Sequence, residues 1–196
     1  MVQWTEYRFG DKVKLLSGGT PSKSNSEYWD GHIPWVSTKD LVTDRIYVTK
    51  DYVTEIGAEN GTRRVPAETI LLSVRGMRLA NELPISMAMR DVTFNQDLKA
   101  VIPDDDVDNR FLFYWFKGYA YEIRGLADEA AHGTKRIQTD RLQDYTLCLP
   151  PIETQRRIAA ILSAYDDLIE NNTRRIKALE QAAHDLYREW FVHFRF

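Results

Sequence analysis

Few residues have the types and spacing that catalysis or metal binding requires. The four histidines are His32, His132, His184 and His193, and none lies within four residues of another or beside the single cysteine. A zinc site needs several His, Cys or carboxylate ligands, which sequences commonly supply at short spacings. We therefore expect no metal site, and we expect Cys148, which lies between two leucines, to be a buried and inert thiol.

One short pattern is compatible with a catalytic role. Asp97-Leu98-Lys99 places a carboxylate and an amine on one face of a strand, like the D-x-K end of a nuclease site. Glu82 is the only nearby acid that could complete a metal site upstream, and a turn leading into a strand explains the pattern more simply. The sequence also lacks a glycine-rich cofactor loop after a strand and the Asn/Asp-Pro-Pro-aromatic motif of base methyltransferases. We expect no catalytic residue, with a small metal-dependent nuclease as an alternative.

Basic side chains lie close to glycines in three stretches of the sequence. Residues 61–78 carry four arginines and one acid, for a local charge of +3, although the whole chain has a net charge of −3. Glycine allows a backbone to approach a phosphate closely. Arginine can form two hydrogen bonds with guanine in the major groove, and lysine and arginine side chains both neutralise phosphates. The pattern predicts a DNA-binding surface, against the competing interpretation of an ordinary solvated surface. The candidates from composition are Lys39, Arg63, Arg64, Arg75, Arg78, Lys135 and Arg136.

Short apolar runs separated by turn residues occupy the first 150 positions. The 196-residue chain is 43% hydrophobic and 12% aromatic, which is enough for one domain with a substantial core. The runs predict many short strands, and residues 109–123 predict a largely buried aromatic helix. Pro150-Pro151 marks the end of this domain. We predict an α+β fold, with a globular domain over 1–150 and a long helix over 151–196.

Several finer expectations follow from local turn and helix signals. We expect a short helix from Gly10 to Leu16, a turn over Tyr28–Gly31, a polar loop over 128–135 and a helical turn over 137–142. We expect Pro34 at a sheet edge or at the start of a strand, because proline cannot donate a hydrogen bond to a neighbouring strand.

The last part of the chain carries a heptad repeat. Its positions recur at alternating steps of four and three residues for more than four heptads, the period with which helices wrap around each other. A helix over Thr154–Val192 would be roughly 57 Å long at about 1.5 Å per residue. The preceding domain is too small to cover such a helix, so the repeat predicts a partner helix. The predicted interface residues are Ile158, Leu162, Tyr165, Ile169, Asn172, Ile176, Leu179, Ala183, Leu186 and Trp190.

The sequence gives no sign of membrane association. Met1–Gly10 has no charged-then-apolar leader, and no apolar run approaches the length of about 18 residues that a membrane span needs. A single cysteine is compatible with a reducing compartment. We expect a cytoplasmic protein.

Taken in order, several motifs resemble the specificity subunits of type I restriction-modification systems. Gly19-Thr20-Pro21-Ser22, Tyr28-Trp29-Asp30-Gly31 and Ile33-Pro34-Trp35-Val36 resemble the opening of a target-recognition domain of that family. Gly133-Thr134 with Ile137 resembles a later loop of the domain. Leu149-Pro150-Pro151-Ile152-Glu153-Thr154-Gln155 resembles the entry into the family's conserved spacer helix, and Trp190-Phe191-Val192 resembles its end.

This resemblance implies a non-catalytic subunit that recognises a DNA sequence. Full-length members carry two recognition domains and two spacer helices, and this chain has one of each. The implied partners are double-stranded DNA, the modification (methyltransferase) subunits and, as a further candidate, the restriction subunit. The subunit would direct adenine methylation and restriction, with S-adenosylmethionine held by the modification subunit and no cofactor in this chain. The resemblance adds Gly133 and Thr134 to the candidate DNA-binding residues.

The single helix suggests a symmetric assembly. Two copies could pair their helices antiparallel and read a split target, as a two-fold dimer does. Asn172 lies near the midpoint of the expected helix, so it would lie near the two-fold axis and fix the register. Contact between Asn172 and a modification subunit or solvent is the competing interpretation, and a coiled-coil scaffold with no DNA role is a further alternative.

Overall fold

The computed structural model describes residues 3–130 and 133–196 and shows a mixture of short strands and helices. The chain divides into two compact units, Met1–Arg156 and Arg157–Phe196. The α+β prediction is therefore confirmed. The strands are β1 (Thr5–Arg8), β2 (Val13–Ser17), β3 (Trp29–Val36), β4 (Arg45–Ile46), β5 (Asp51–Val53), β6 (Arg63–Val65), β7 (Ile70–Ser73), β8 (Arg75–Gly76), β9 (Ile85–Ala88), β10 (Val92–Phe94), β11 (Leu98–Pro103), β12 (Ala127–Glu129), β13 (Lys135–Ile137) and β14 (Thr146–Leu149).

The helices are few and, with one exception, short. Single 3-10 turns occur at Ser26–Tyr28 and Met77–Ala80, and a π-helical turn follows the last helix at Arg188–Val192. The α-helices are α1 (Phe9–Lys12), α2 (Glu55–Glu59), α3 (Asn109–Gly118), α4 (Ala120–Gly125), α5 (Thr139–Gln143) and α6 (Ile152–Tyr187).

In the described residues of the first unit, the strands form four small sheets. The five-stranded sheet has the order β2-β11-β7-β9-β4, and the four-stranded sheet has the order β5-β3-β10-β6. A three-stranded sheet runs β12-β13-β8, and β1 pairs antiparallel with β14. Most pairs are antiparallel, while β3–β10 and β4–β9 are parallel. Chain segments that are distant in sequence therefore meet at the strand ends.

The core lies between the two larger sheets. Ile70, Leu71 and Leu72 are all fully buried, which is typical of a strand covered on both faces. One cluster joins side chains of both sheets and fixes how their strand ends meet. Its members are Val36, Leu41, Ile46, Val65, Leu71, Ala88, Val92, Phe94, Leu98 and Ala100.

Three expectations near the start of the chain were wrong in detail. The helix expected over Gly10–Leu16 spans only Phe9–Lys12, and Val13 begins a strand because β2 pairs along its length with β11. The turn expected before Ile33 is the beginning of β3, which starts at Trp29. Pro34 lies in an interior strand, between β5 and β10, where the register of β3 shifts between Trp29 and Ile33. The Thr93 hydroxyl donates to the Pro34 carbonyl across this site, at 3.1 Å.

The segment before the last strand also differs from the prediction. The expected polar loop over 128–135 contains most of β12 and the start of β13, which pair antiparallel. Ile137 belongs to β13, and the helical turn begins only at Thr139. Cross-strand pairing overrides the polar composition here, because β8 supplies a neighbour from a distant part of the chain.

The long helix begins two residues after Pro150, as the Pro-Pro signal predicts. The Pro151 carbonyl accepts from the backbone nitrogens of Thr154 and Gln155, at 2.8 and 3.1 Å. Gln155 is buried, and its amide accepts from Asp108 N at 2.8 Å and donates to the Asp106 and Pro150 carbonyls at 3.1 and 2.9 Å. These bonds tie the first turn of α6 to the loop before α3.

The heptad positions of α6 are largely open to solvent. Ile169, Ile176 and Leu179 are each more than half exposed, and Asn172 is exposed between them. Through the described residues, no helix has both the length and the apolar composition to cross a membrane.

Candidate nucleic-acid interface

Five strand ends meet at one side of the first unit. Gly19 N donates to the Phe94 carbonyl and Asn95 N to the Val36 carbonyl, both at 2.9 Å. Val74 N donates to the Asp97 carbonyl at 3.0 Å, and Ile137 N to the Val74 carbonyl at 2.9 Å. These backbone bonds join the ends of β2, β3, β7, β10 and β13. The surface they create, which we call the basic edge, comprises Thr20, Arg63, Arg75, Gln96, Lys99, Lys135 and Arg136.

Two arginines face each other on the basic edge. Arg75 of β8 is directly opposite Arg136 of β13 in an antiparallel pair, and Lys135 is opposite Gly76. Side chains of directly opposed residues lie on the same face of a sheet, and like charges at such positions destabilise the pair. Asp128 is opposite Arg136 on its other side, but its carboxylate accepts from Arg141 at 2.8 Å. Among the described residues, neither arginine of this pair forms an ion pair with an acid.

Lys99 adds a third cation to this pair. Its Nζ donates to the Ser17 hydroxyl at 2.6 Å, and its side chain is partly buried on β11. Burial lowers the pKa of Lys99, and the positive charge of Arg136 lowers it further. Lys99 of β11 thus lies close to Arg136 of β13, which is itself opposite Arg75 of β8, and a nearby like charge disfavours the charged form of a lysine.

Two glycines beside the basic edge have backbone conformations that favour glycine. Gly76 has φ +146° and Gly133 has φ +71°. A Cβ at either position would meet no atom within 4 Å, so packing does not demand glycine there. The open space leaves the backbone beside Arg75 and Thr134 accessible to a phosphate group.

Arg63 lies at the other end of the basic edge. It pairs with Phe94 across β6 and β10, and the hydroxyl of Thr62 donates to the Phe94 carbonyl at 2.9 Å. The Gly61 carbonyl packs so closely on Gly19 that a Cβ at Gly19 would lie 2.1 Å from its oxygen. This contact brings Arg63 beside the loop that carries Thr20. In the part of the chain that the structure describes, the ion pairs involve none of Arg63, Arg75, Lys135 and Arg136.

Two predicted DNA-binding arginines have partners inside the protein. Arg64 points away from Arg63 and pairs with Glu55 at 3.3 Å and Asp91 at 3.7 Å. Its role in DNA binding stays a prediction, and these acids make it a weaker candidate than Arg63.

Arg78 also makes several contacts within the protein, and its role in DNA binding stays a prediction. Its Nε donates to Glu82 at 2.6 Å, and its two other nitrogens donate to the Thr38 and Leu41 carbonyls at 3.2 and 3.0 Å. Arg78 therefore holds the turn that presents Lys39, which is itself exposed.

The predicted loop residues are on or next to the basic edge. Gly133 is exposed and Thr134 is partly buried, and the Thr134 carbonyl accepts from Ala130 N at 2.8 Å. His132, which the sequence showed to be isolated, lies outside the described residues. Cys148 is partly buried on β14 rather than fully enclosed.

The basic edge contains three residues that sequence reasoning did not assign to it. Lys99 belongs to the nuclease-like pattern, Thr20 to one of the family motifs, and Gln96 to the turn expected before Leu98. A signal was available for Gln96 and Lys99, because each is a polar residue at or beside the start of a predicted apolar strand. Thr20 carried no such signal, since a helix was expected before it. What the sequence lacked was the pairing that brings those strand ends together.

The chain resembles a known protein family over most of its length. Residues 1–181 match the family model described as type I restriction modification DNA specificity domain. The chain is 30% identical to the type I restriction enzyme EcoR124I/EcoR124II specificity subunit of Escherichia coli, over 98% of this chain and 48% of that protein. It is 33% identical to the MjaIX specificity subunit of Methanocaldococcus jannaschii, over 97% of this chain and 44% of that protein.

The chain belongs to the type I restriction-modification DNA specificity domain family. The fold is the same as that of the S subunit of the type I restriction-modification system of M. genitalium, with a TM-score of 0.73 at 16% identity. That alignment covers 97% of this chain and 46% of the other. The specificity domain thus spans less than half the length of each of these relatives. Two of the stretches that carried the resemblance, Gly19–Ser22 and Gly133–Ile137, lie at the basic edge or contribute to it.

Proposed function

We propose that this chain is the DNA-recognition component of a type I restriction-modification system and that the basic edge contacts the DNA. The observation that carries the proposal is that Arg75, Lys99 and Arg136 lie on one surface and form no ion pair with an acid among the described residues, in a chain of the specificity-domain family. Such a cluster costs folding free energy, and a bound polyanion offsets that cost. Phosphates of double-stranded DNA present regularly spaced negative charges at close range.

The chain supplies recognition in this proposal and other subunits supply catalysis. We place S-adenosylmethionine and adenine methylation in the modification subunit, and DNA cleavage in the restriction subunit. The nuclease alternative has no support. Lys99 is bonded to Ser17, and within residues 3–130 and 133–196 no three His, Cys, Asp or Glu side chains are grouped to hold a metal.

The long helix suggests how two recognition units combine. Its a and d positions form a regular apolar seam that is exposed, and a second copy of this chain carries the same seam. An antiparallel pair of α6 helices would place Asn172 near its own copy and would relate two basic edges by two-fold symmetry. We propose this homodimer as the arrangement that reads a split, symmetric target.

The test is to co-express the chain with its modification subunit and to map methylated adenines across a genome. A split motif with two-fold symmetry is expected, and an asymmetric motif would contradict the homodimer. Arg75→Ala combined with Arg136→Ala should abolish methylation at most sites while the complex still assembles on size-exclusion chromatography. Arg90→Ala is the matched control, because Arg90 is exposed but precedes β10 instead of following it.

A scaffold with no DNA role predicts a different result. Its complex with the modification subunit would show no salt-dependent gel shift, whereas phosphate contacts make affinity fall as salt rises. Unchanged methylation in the double arginine variant would also contradict the proposed place of the interface.

A further inference from the structure

Gln96 occupies an unusual position on the basic edge. It is exposed, yet its side-chain Oε1 accepts from the Thr20 hydroxyl at 2.6 Å. An exposed glutamine ordinarily samples several rotamers, and fixing it costs conformational entropy. Here the hydrogen bond to Thr20 restricts this sampling.

The backbone on both sides of Gln96 is also fixed. Asn95 is buried, its backbone nitrogen donates to the Val36 carbonyl, and its Oδ1 accepts from Asp97 N at 3.2 Å. The Asp97 carbonyl in turn accepts from Val74 N. Arg75 directly follows Val74, and Gln96 directly precedes Asp97. The bond between Val74 and Asp97 therefore places Gln96 and Arg75 at neighbouring strand ends. A fixed amide therefore lies among cations that can hold a phosphate backbone.

The hydrogen bond to Thr20 leaves part of Oε1 and all of Nε2 of Gln96 available to bind a base. A side-chain carbonyl has two lone pairs, and Thr20 uses one of them. No residue among those described accepts from Nε2 of Gln96. The free lone pair and the Nε2 hydrogens form the donor–acceptor pair that binds adenine N6 and N7 in the major groove.

We propose that Gln96 is a specificity-determining residue that reads one adenine of the target, and that Thr20 is its positioning residue. This inference rests on the proposed function. It follows from an amide that Thr20 orients and that has no further hydrogen-bond partner among the described residues, because pre-ordered groups give base discrimination at a lower entropic cost.

The experiment uses the complex of the full chain with its modification subunit and a random pool of duplex DNA. Wild-type selection should show an A·T preference at one position of each half-site. Gln96→Ala should erase that preference alone and weaken binding to the best sequence by about 5- to 150-fold. Thr20→Val should weaken the same preference and leave the other positions unchanged. Gln181→Ala, which removes an exposed glutamine bonded to Asp185 on α6, is the matched control.

A modified base checks the contact itself. Replacing the selected adenine with 7-deazaadenine removes N7, so it should weaken binding of the wild-type complex and have little effect on the Gln96→Ala complex. Equal losses in both complexes, or a Gln96→Ala effect spread over all sequences, would overturn the assignment of Gln96 alone. A wild-type complex with no sequence preference would overturn the proposed function and this inference with it.

Discussion

Arg75 and Arg136 show, at the level of single residues, that charges suited to DNA binding can lower folding stability. They face each other across β8 and β13, and the acid nearest to Arg136 in the sheet is bonded to Arg141. Functional surfaces commonly keep such unfavourable arrangements, since the ligand supplies the missing interaction.

Removing one arginine should therefore change folding stability and DNA affinity in different directions. Arg136→Met should leave the free energy of unfolding unchanged or raise it by up to about 1 kcal/mol, because a like-charge contact is lost. The same change should weaken DNA binding by about 1–3 kcal/mol if Arg136 reads a base. Urea unfolding and DNA titration measure the two quantities. Arg141→Met, which breaks an ion pair with Asp128, should only destabilise, and the opposite pattern would contradict the charge argument.

The charge of Lys99 should also lower folding stability, and this effect should depend on pH. Burial and Arg136 hold its pKa in the folded chain below the ordinary value of 10.5, so the unfolded chain binds the proton more tightly. The resulting loss of stability is fully present below the folded pKa and disappears as pH rises toward 10.5. Lys99→Met removes the effect, so its stability advantage over the wild type should shrink with rising alkaline pH. Urea unfolding at several pH values checks this, and an advantage that grows would contradict it.

At the scale of elements, the first turn of α6 depends on one buried amide. Gln155 satisfies one backbone nitrogen and two backbone carbonyls around the Pro150 segment. Gln155→Leu keeps the volume but leaves these groups without partners, and should cost about 2–4 kcal/mol of unfolding free energy. Gln181→Leu, on the exposed part of α6, should change it by less than about 0.5 kcal/mol. Similar losses in both variants would show that the Gln155 bonds contribute little.

The seam of the same helix carries a second prediction. Asn172 is the one amide among the apolar heptad positions, and buried asparagines fix register at a cost in stability. Asn172→Leu should strengthen the dimer and loosen its register. Sedimentation at several concentrations measures the first effect, and cross-linking of cysteines placed along α6 measures the second. Unchanged oligomeric state and unchanged cross-links would rule out Asn172 as a neighbour of the two-fold axis.

At the scale of the whole molecule, net charge and binding surface have opposite signs. The chain carries −3 overall, so attraction to DNA must come from the basic edge at short range. Affinity of the assembled complex should fall with salt, and each phosphate-contacting cation removed should reduce the slope of log affinity against log salt by about 1. Lys135→Ala should show this reduction, whereas Arg64→Ala, whose side chain pairs with two acids, should leave the slope nearly unchanged.

The features that depend on local sequence patterns could be predicted from the sequence alone. The heptad spacing predicted a long helix, the Pro-Pro pair predicted its start, and ordered short motifs predicted the family. Apolar runs such as Ile70–Ser73 predicted strands correctly, because burial demands apolar residues wherever both faces of a strand are covered. Local composition also named most of the arginines that the structure places on or near one surface.

Which of these residues become neighbours in space depends on the tertiary structure. Arg64 and Arg78 are as basic as Arg63 and Arg75, and their difference lies in partners contributed by distant segments. Lys99 and Gln96 became candidates for binding only when strand pairing placed them beside Arg136 and Arg75. The physical reason is that charge repulsion, burial and hydrogen bonding act between neighbours in space. Sheet pairing between residues far apart in the sequence chooses those neighbours.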